Sequence, residues 1–371
     1  MTAMCLSAQY KPLSLPIGID TRNVPLAGSK GSQAYNNGFQ AGVRKRGDKD
    51  ATRYLENAVK ENNVERVGKL LDAGASAYVS YDMIDNKQYE IMELMHKNNP
   101  QLIRFSQMIH YACANSDNTM VDFLIAHDAS LDLCGNYWET YPDNNYGRLA
   151  VRRCEWNSDN NLYYTPLDCA LRSGNTSIIN YVIQKYGKRP TIIGVTDYLY
   201  RCICNDKSDN NSVEDAFNRL PELDEYLGGN SLTKVFNTGI GYIHRGKYAF
   251  KYLLIEAINK MGEYKDASKE KKAAQLENFI KYMIENNTDV KVNTDYCSVL
   301  YMGIGDEVTL FETPMYVAMR HKGMLDIIHL LKAKGASMKI KASQKGRTGE
   351  IPLEKTSIRD EYKELILTKE L

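Results

Sequence analysis

Apolar positions along most of the chain recur at helical spacing, in short runs that come in pairs. Arg53 to Ala58 is followed by Val67, Leu70 and Leu71, and Gln107 to Ala112 by Val121 and Phe123 to Ile125. Thr165 to Ala170 is followed by Ile178, Ile179 and Tyr181 to Ile183, and Thr313 to Ala318 by Ile327, Ile328, Leu330 and Leu331. Each pair reads as a short helix, a polar break, a second apolar helix and a small-residue end such as Gly74-Ala75 or Gly335-Ala336. Residues 1–50 lack any such period and are rich in Gly, Ser, Asn, Gln and Pro. Their composition predicts a flexible tail, made basic by Arg44, Lys45 and Arg46.

Physical reasons for the repeated slots are plain. Pro166 and Pro314 suit a first helical turn, where the missing N–H has no partner to lose. Ala58, Ala112, Ala170 and Ala318 let two helices approach closely. A Gly after the second helix takes the left-handed cap conformation. Thr165-Pro166-Leu167 and Thr313-Pro314, with His110 in the second segment, resemble the T-P-L-H-x-A signature of the ankyrin repeat. The resemblance implies an all-α fold, an ankyrin-repeat α-solenoid with divergent repeats and long insertions between them. Clear repeats fall near 51–76, 106–130, 164–187 and 312–337. Degenerate units fall near 77–100 and 196–290, and a C-terminal cap over 351–369 closes an array spanning 51–366. Tyr248 to Met261 is read as one apolar helix. Gly239 to Gly241 and Gly303 to Gly305 are read as turns, too short for a phosphate loop.

Composition narrows the function. Forty-seven Lys and Arg offset 46 Asp and Glu, for a net charge of +1, which argues against nucleic acid or an anionic membrane as the main partner. Mean hydropathy is −0.46, and no apolar run approaches the roughly 18–20 residues of a membrane span. Eight scattered cysteines form no C-x-x-C pair, and Met1 to Tyr10 has no signal-peptide pattern, so reduced thiols in a cytoplasmic setting are expected. No metal site or cofactor is expected. Tyr is abundant, 26 against 8 Phe.

The largest insertion, Leu133 to Tyr164, holds both tryptophans. Trp138, Tyr141, Tyr146, Arg148, Arg152, Arg153 and Trp156 are the candidate partner-binding residues, because Trp, Tyr and Arg dominate binding hot spots. The competing reading is that these aromatics anchor their own loop. His110 with Cys113, three apart on a helix, has the spacing of a nucleophile pair but fits core packing better. Cys202 and Cys204 read as core cysteines.

Ankyrin resemblance implies a non-enzymatic module that binds another protein through loop tips and the inner face of the first helices. The divergent repeats, plentiful Asn, Tyr and Lys and the polar N-terminus are similar in style to secreted bacterial ankyrin effectors, which implies delivery into a host cell cytosol. The alternative is an effector enzyme with an atypical site in 205–312.

Overall fold

A computed structural model describes residues 49–75, 108–131 (apart from 128 and 130), 165–204, 213–244, 247–287, 289–294, 296–301, 307–344 and 347–371. In the N-terminal half, helices come in pairs: α1 (Lys49–Lys60) with α2 (Val64–Asp72), α3 (Met108–Asn115) with α4 (Asn118–Ala126), and α5 (Pro166–Ser173) with α6 (Thr176–Tyr186). Next come α7 (Ile192–Cys204), α8 (Val213–Asn218), α9 (Leu220–Tyr226) and α10 (Leu232–Phe236).

The C-terminal half departs from the expected architecture. A hairpin of β1 (Gly239–His244) and β2 (Lys247–Tyr252) precedes α11 (Leu253–Asp266) and α12 (Glu270–Glu285). A second hairpin, β3 (Tyr296–Tyr301) and β4 (Glu307–Glu312), precedes α13 (Pro314–Ala318) and α14 (Leu325–Ala333). A third, β5 (Lys339–Gln344) and β6 (Arg347–Pro352), precedes a 3-10 turn (Leu353–Lys355) and α15 (Asp360–Leu367). The last two hairpins join in one antiparallel sheet of order β3-β4-β5-β6, while β1-β2 is a sheet of its own. These strands overturn the all-α ankyrin solenoid: the fold is mixed, with helix pairs followed by hairpin–helix–helix units.

The physical reason lies in a two-residue period that the helical reading passed over. Lys247 to Tyr252 alternates Lys, Tyr, Ala, Phe, Lys, Tyr, which suits a pleated strand and not one face of a helix. The expected helix over Tyr248 to Met261 is therefore a strand to Tyr252 and a helix from Leu253. In β5, Ile340 and Ala342 are buried while Lys339 and Lys341 are exposed, the same alternation. Gly239 to Gly241, read as a turn, lies within β1. Gly303 to Gly305 lies outside the described residues.

Pro166 and Pro314 open α5 and α13, as expected. Thr165 and Asp168 form a capping box, and Thr313 accepts from Tyr316 N at the start of α13. Gly174 and Gly187 end α5 and α6 with φ of 78° and 65°, in the left-handed region that glycine enters without strain. The helices α1, α3, α5, α7, α11 and α13 pack each against the next. Their contacts run through one apolar core from Leu55 to Tyr362. That row positions the site.

Candidate functional site

A small apolar cluster adjoins the main core, and Tyr200 of α7 packs against both. The cluster joins Ala114 on α3, Cys169 on α5 and Ile240 on β1. Helical spacing carries the same face sideways: Tyr111 is one turn before Ala114, and Arg172 one turn after Cys169. The Lys60 ammonium of α1 sits 5.9 Å from the Tyr111 ring centroid. Lys60, Tyr111, Arg172 and Tyr200 thus come from four consecutive helices of the row, and all four are half-buried. Burial pushes the Tyr111 hydroxyl pKa above its ordinary value. A face of this kind offers rings with polar ends and two cations, the groups that anchor a protein partner.

Below this face, buried polar groups hold the helices in place. Asp168 accepts from Thr165 N at 3.0 Å, from Thr191 N at 2.6 Å and from Thr191 Oγ1 at 2.9 Å. Burial raises its carboxyl pKa, and the hydrogen bonds oppose that rise. One side chain thereby ties the start of α5 to the start of α7. On the second helices, Asp122 accepts from Tyr181 and Lys185 at 2.5 Å each and from Tyr186 at 2.6 Å.

Within the 205–312 stretch, one polar constellation centres on Arg219. Its Nε donates to Glu222 at 2.8 Å and its Nη1 to the Tyr198 hydroxyl at 2.7 Å. Nη2 is buried and has no hydrogen-bond partner among the described residues. Tyr226 donates to the other Glu222 oxygen. Cys202 lies one helical turn after Tyr198. Burial pushes the Cys202 thiol up to about 12, and the Tyr198 hydroxyl up to about 12. Both groups stay protonated at neutral pH, so neither is an activated nucleophile or base there.

Cys113 and His110 are buried in α3, and burial drives the Cys113 thiol pKa far above its ordinary value. That is the opposite of thiol activation. Among the described residues no group of three or more His, Cys, Asp or Glu is arranged to hold a metal ion. Among them, too, no helix is long and apolar enough to cross a membrane.

All seven expected partner-binding residues, Trp138, Tyr141, Tyr146, Arg148, Arg152, Arg153 and Trp156, lie outside the described residues. Lys60, Tyr111, Arg172, Tyr200 and Ile240 were not singled out by sequence. The repeat slots could have found three of them: Tyr111 occupies the position before the recurring small Ala, and Lys60 and Arg172 the second position after it. Nothing in the sequence points to Ile240. No protein-family model matches the chain, and no curated protein matches it significantly.

Proposed function

We propose that this protein is a non-enzymatic module that binds another protein, with a face on the first helices as its docking ground. The carrying observation is the row Lys60, Tyr111, Arg172 and Tyr200 on four consecutive helices. Tyrosine rings give large contact area at low entropic cost, and the Arg172 guanidinium offers a planar donor fork to a partner's acidic groups. The near-zero net charge fits a mixed protein surface better than a phosphate backbone. The ankyrin-like segments support the same reading, and their style extends it to a bacterial effector acting on a host protein. The insertion residues Trp138, Arg152 and Trp156 belong to this proposal as a second contact region. The protonated state of Cys202 and Tyr198 gives the enzyme alternative no support.

Affinity capture from cell lysate tests the proposal. Two variants run beside the wild type: Trp138→Ala/Arg152→Ala/Trp156→Ala, and Lys60→Glu/Arg172→Glu. Loss of one captured protein, identified by mass spectrometry, with an unchanged helical circular dichroism signal is expected. Capture that survives both variants, or collapse of the helical signal, sinks the reading.

A further inference from the structure

The turn between α13 and α14 is gripped from two sides. From α11, Asp266 faces His321 Nδ1 at 2.7 Å and accepts from Lys322 N at 3.2 Å, and Lys265 donates to Gly323 O at 2.6 Å. From α15, the Tyr362 hydroxyl donates to His321 O at 3.1 Å and accepts from Met324 N at 2.9 Å. The His321 ring lies across α11 at Gly262, where an ideal Cβ would come within 2.1 Å of the ring Cγ. Glycine weakens a helix interior, and here its missing side chain is the notch that seats the ring. The second ring nitrogen, Nε2, faces Asn259 Oδ1 at 3.3 Å. Asn259 is held in that orientation because its Nδ2 donates to Glu263 at 3.0 Å. Both ring nitrogens therefore meet oxygen acceptors, and only the imidazolium carries a proton on each. A neutral ring sets one bare nitrogen against an oxygen.

We infer that His321 is a proton-operated latch: charged, it fastens the α13–α14 turn to α11, and loss of its proton loosens that joint. The charged groups around it come from every neighbouring element. Asp266, Lys265 and, through Asn259, Glu263 belong to α11, and Glu263 also binds Lys260. Glu277 of α12 lies 3.6 Å from Lys265. Arg320, paired with Glu312, and Lys322 flank the ring in its own turn. Arg359 acts on Asp266 from the start of α15, beside Tyr362. Imidazole is the one side chain of this set whose ordinary titration falls between pH 5 and 8. Burial disfavours the Asp266 charge, but the bonds from His321 and Lys322 N outweigh burial and hold that carboxyl below its ordinary value. Asp266 thus stays an acceptor across the window. Since the seat favours the charged ring, the latch holds at the acid end and is lost as pH rises.

Hydrogen exchange on the full chain tests the latch at the amides it grips, Lys322 and Met324, with each rate divided by the intrinsic rate at that pH. In the wild type their protection is expected to fall about five-fold or more between about pH 5.5 and 8.5, as loss of one hydrogen bond implies, while amides in the middle of α12 hold steady. His321→Gln is expected to abolish that fall. Asn259→Asp sets a second carboxylate against Nε2 and is expected to move the fall upward by about one pH unit or more. A purely structural role for the ring would leave the midpoint in place. Protection that ignores pH in the wild type, a fall that persists in His321→Gln, or a midpoint unmoved in Asn259→Asp overturns the latch. If His321→Gln loses its helical circular dichroism signal, the wild type and Asn259→Asp decide alone.

Discussion

Asn237 and Asn293 make the same pair of hydrogen bonds, one hairpin unit apart. Asn237 donates to Asp289 O at 2.9 Å and accepts from Lys291 N at 2.7 Å. Asn293 donates to Gly335 O at 3.2 Å and accepts from Ser337 N at 2.7 Å. Each amide therefore clamps the strand entering its own hairpin to the strand entering the next. Replacing either by Ala removes two hydrogen bonds at partly solvated sites and should cost about 1–2 kcal/mol. Urea unfolding of Asn237→Ala and Asn293→Ala should give similar losses. A large difference between them would mean that the clamps are not equivalent.

A second expectation concerns Asp168 and the helix that starts beside it. An ideal Cβ on Gly194 would lie 2.1 Å from Asp168 Oδ1. Gly194→Ala should therefore displace the carboxylate and destabilise the chain by about 1–3 kcal/mol. Asp168→Asn should also destabilise it, because an amide N–H would face donors from Thr165 or Thr191. Thermal unfolding checks both. A neutral Gly194→Ala would show that the α5–α7 contact is loose.

Asp122 predicts a pH dependence. Burial disfavours its charge, but hydrogen bonds from Lys185, Tyr181 and Tyr186 outweigh burial and hold its pKa below the usual carboxylate value. A carboxyl depressed in the folded state stabilises it above the unfolded pKa, and that stability is lost as pH falls through the folded pKa. The advantage of wild type over Asp122→Asn should thus persist at neutral pH and shrink below about pH 4. Denaturant titrations across that range measure it, and a pH-independent difference would exclude the carboxylate as the cause.

Thiol chemistry supplies a fourth test. Cys113 and Cys202 are buried, and burial raises both thiols, Cys202 to about 12. In the native state both should resist N-ethylmaleimide at neutral pH, and both should react promptly in denaturant. Fast native labelling of Cys202 would reopen the case for a reactive centre near Arg219.

The helix pairs were legible because their signals are local. Thr165 and Asp168 cap one helix within four residues, and Gly174 ends it at an angle other residues avoid. The strands were less legible. Lys247 to Tyr252 carries a clear alternation, but it abuts the apolar start of α11, and the two periods merge into one apolar stretch. The seven residues chosen in the insertion stand on composition alone, so no fold signal could place them.

From sequence alone came the paired helices, the Pro and Gly signals at their ends, the balanced charge and the lack of a recognisable catalytic or metal-binding motif. Each depends on chemistry within a few neighbouring residues. Only the tertiary structure decided that three hairpins interrupt the helices, and that Ile240 meets Cys169 across 71 positions of chain. It alone set the Lys60 ammonium over the Tyr111 ring and Tyr200 against the Ala114–Cys169–Ile240 cluster. Contacts of that kind arise when separate elements bury their apolar faces together, and no short-range period along the chain records which faces will meet.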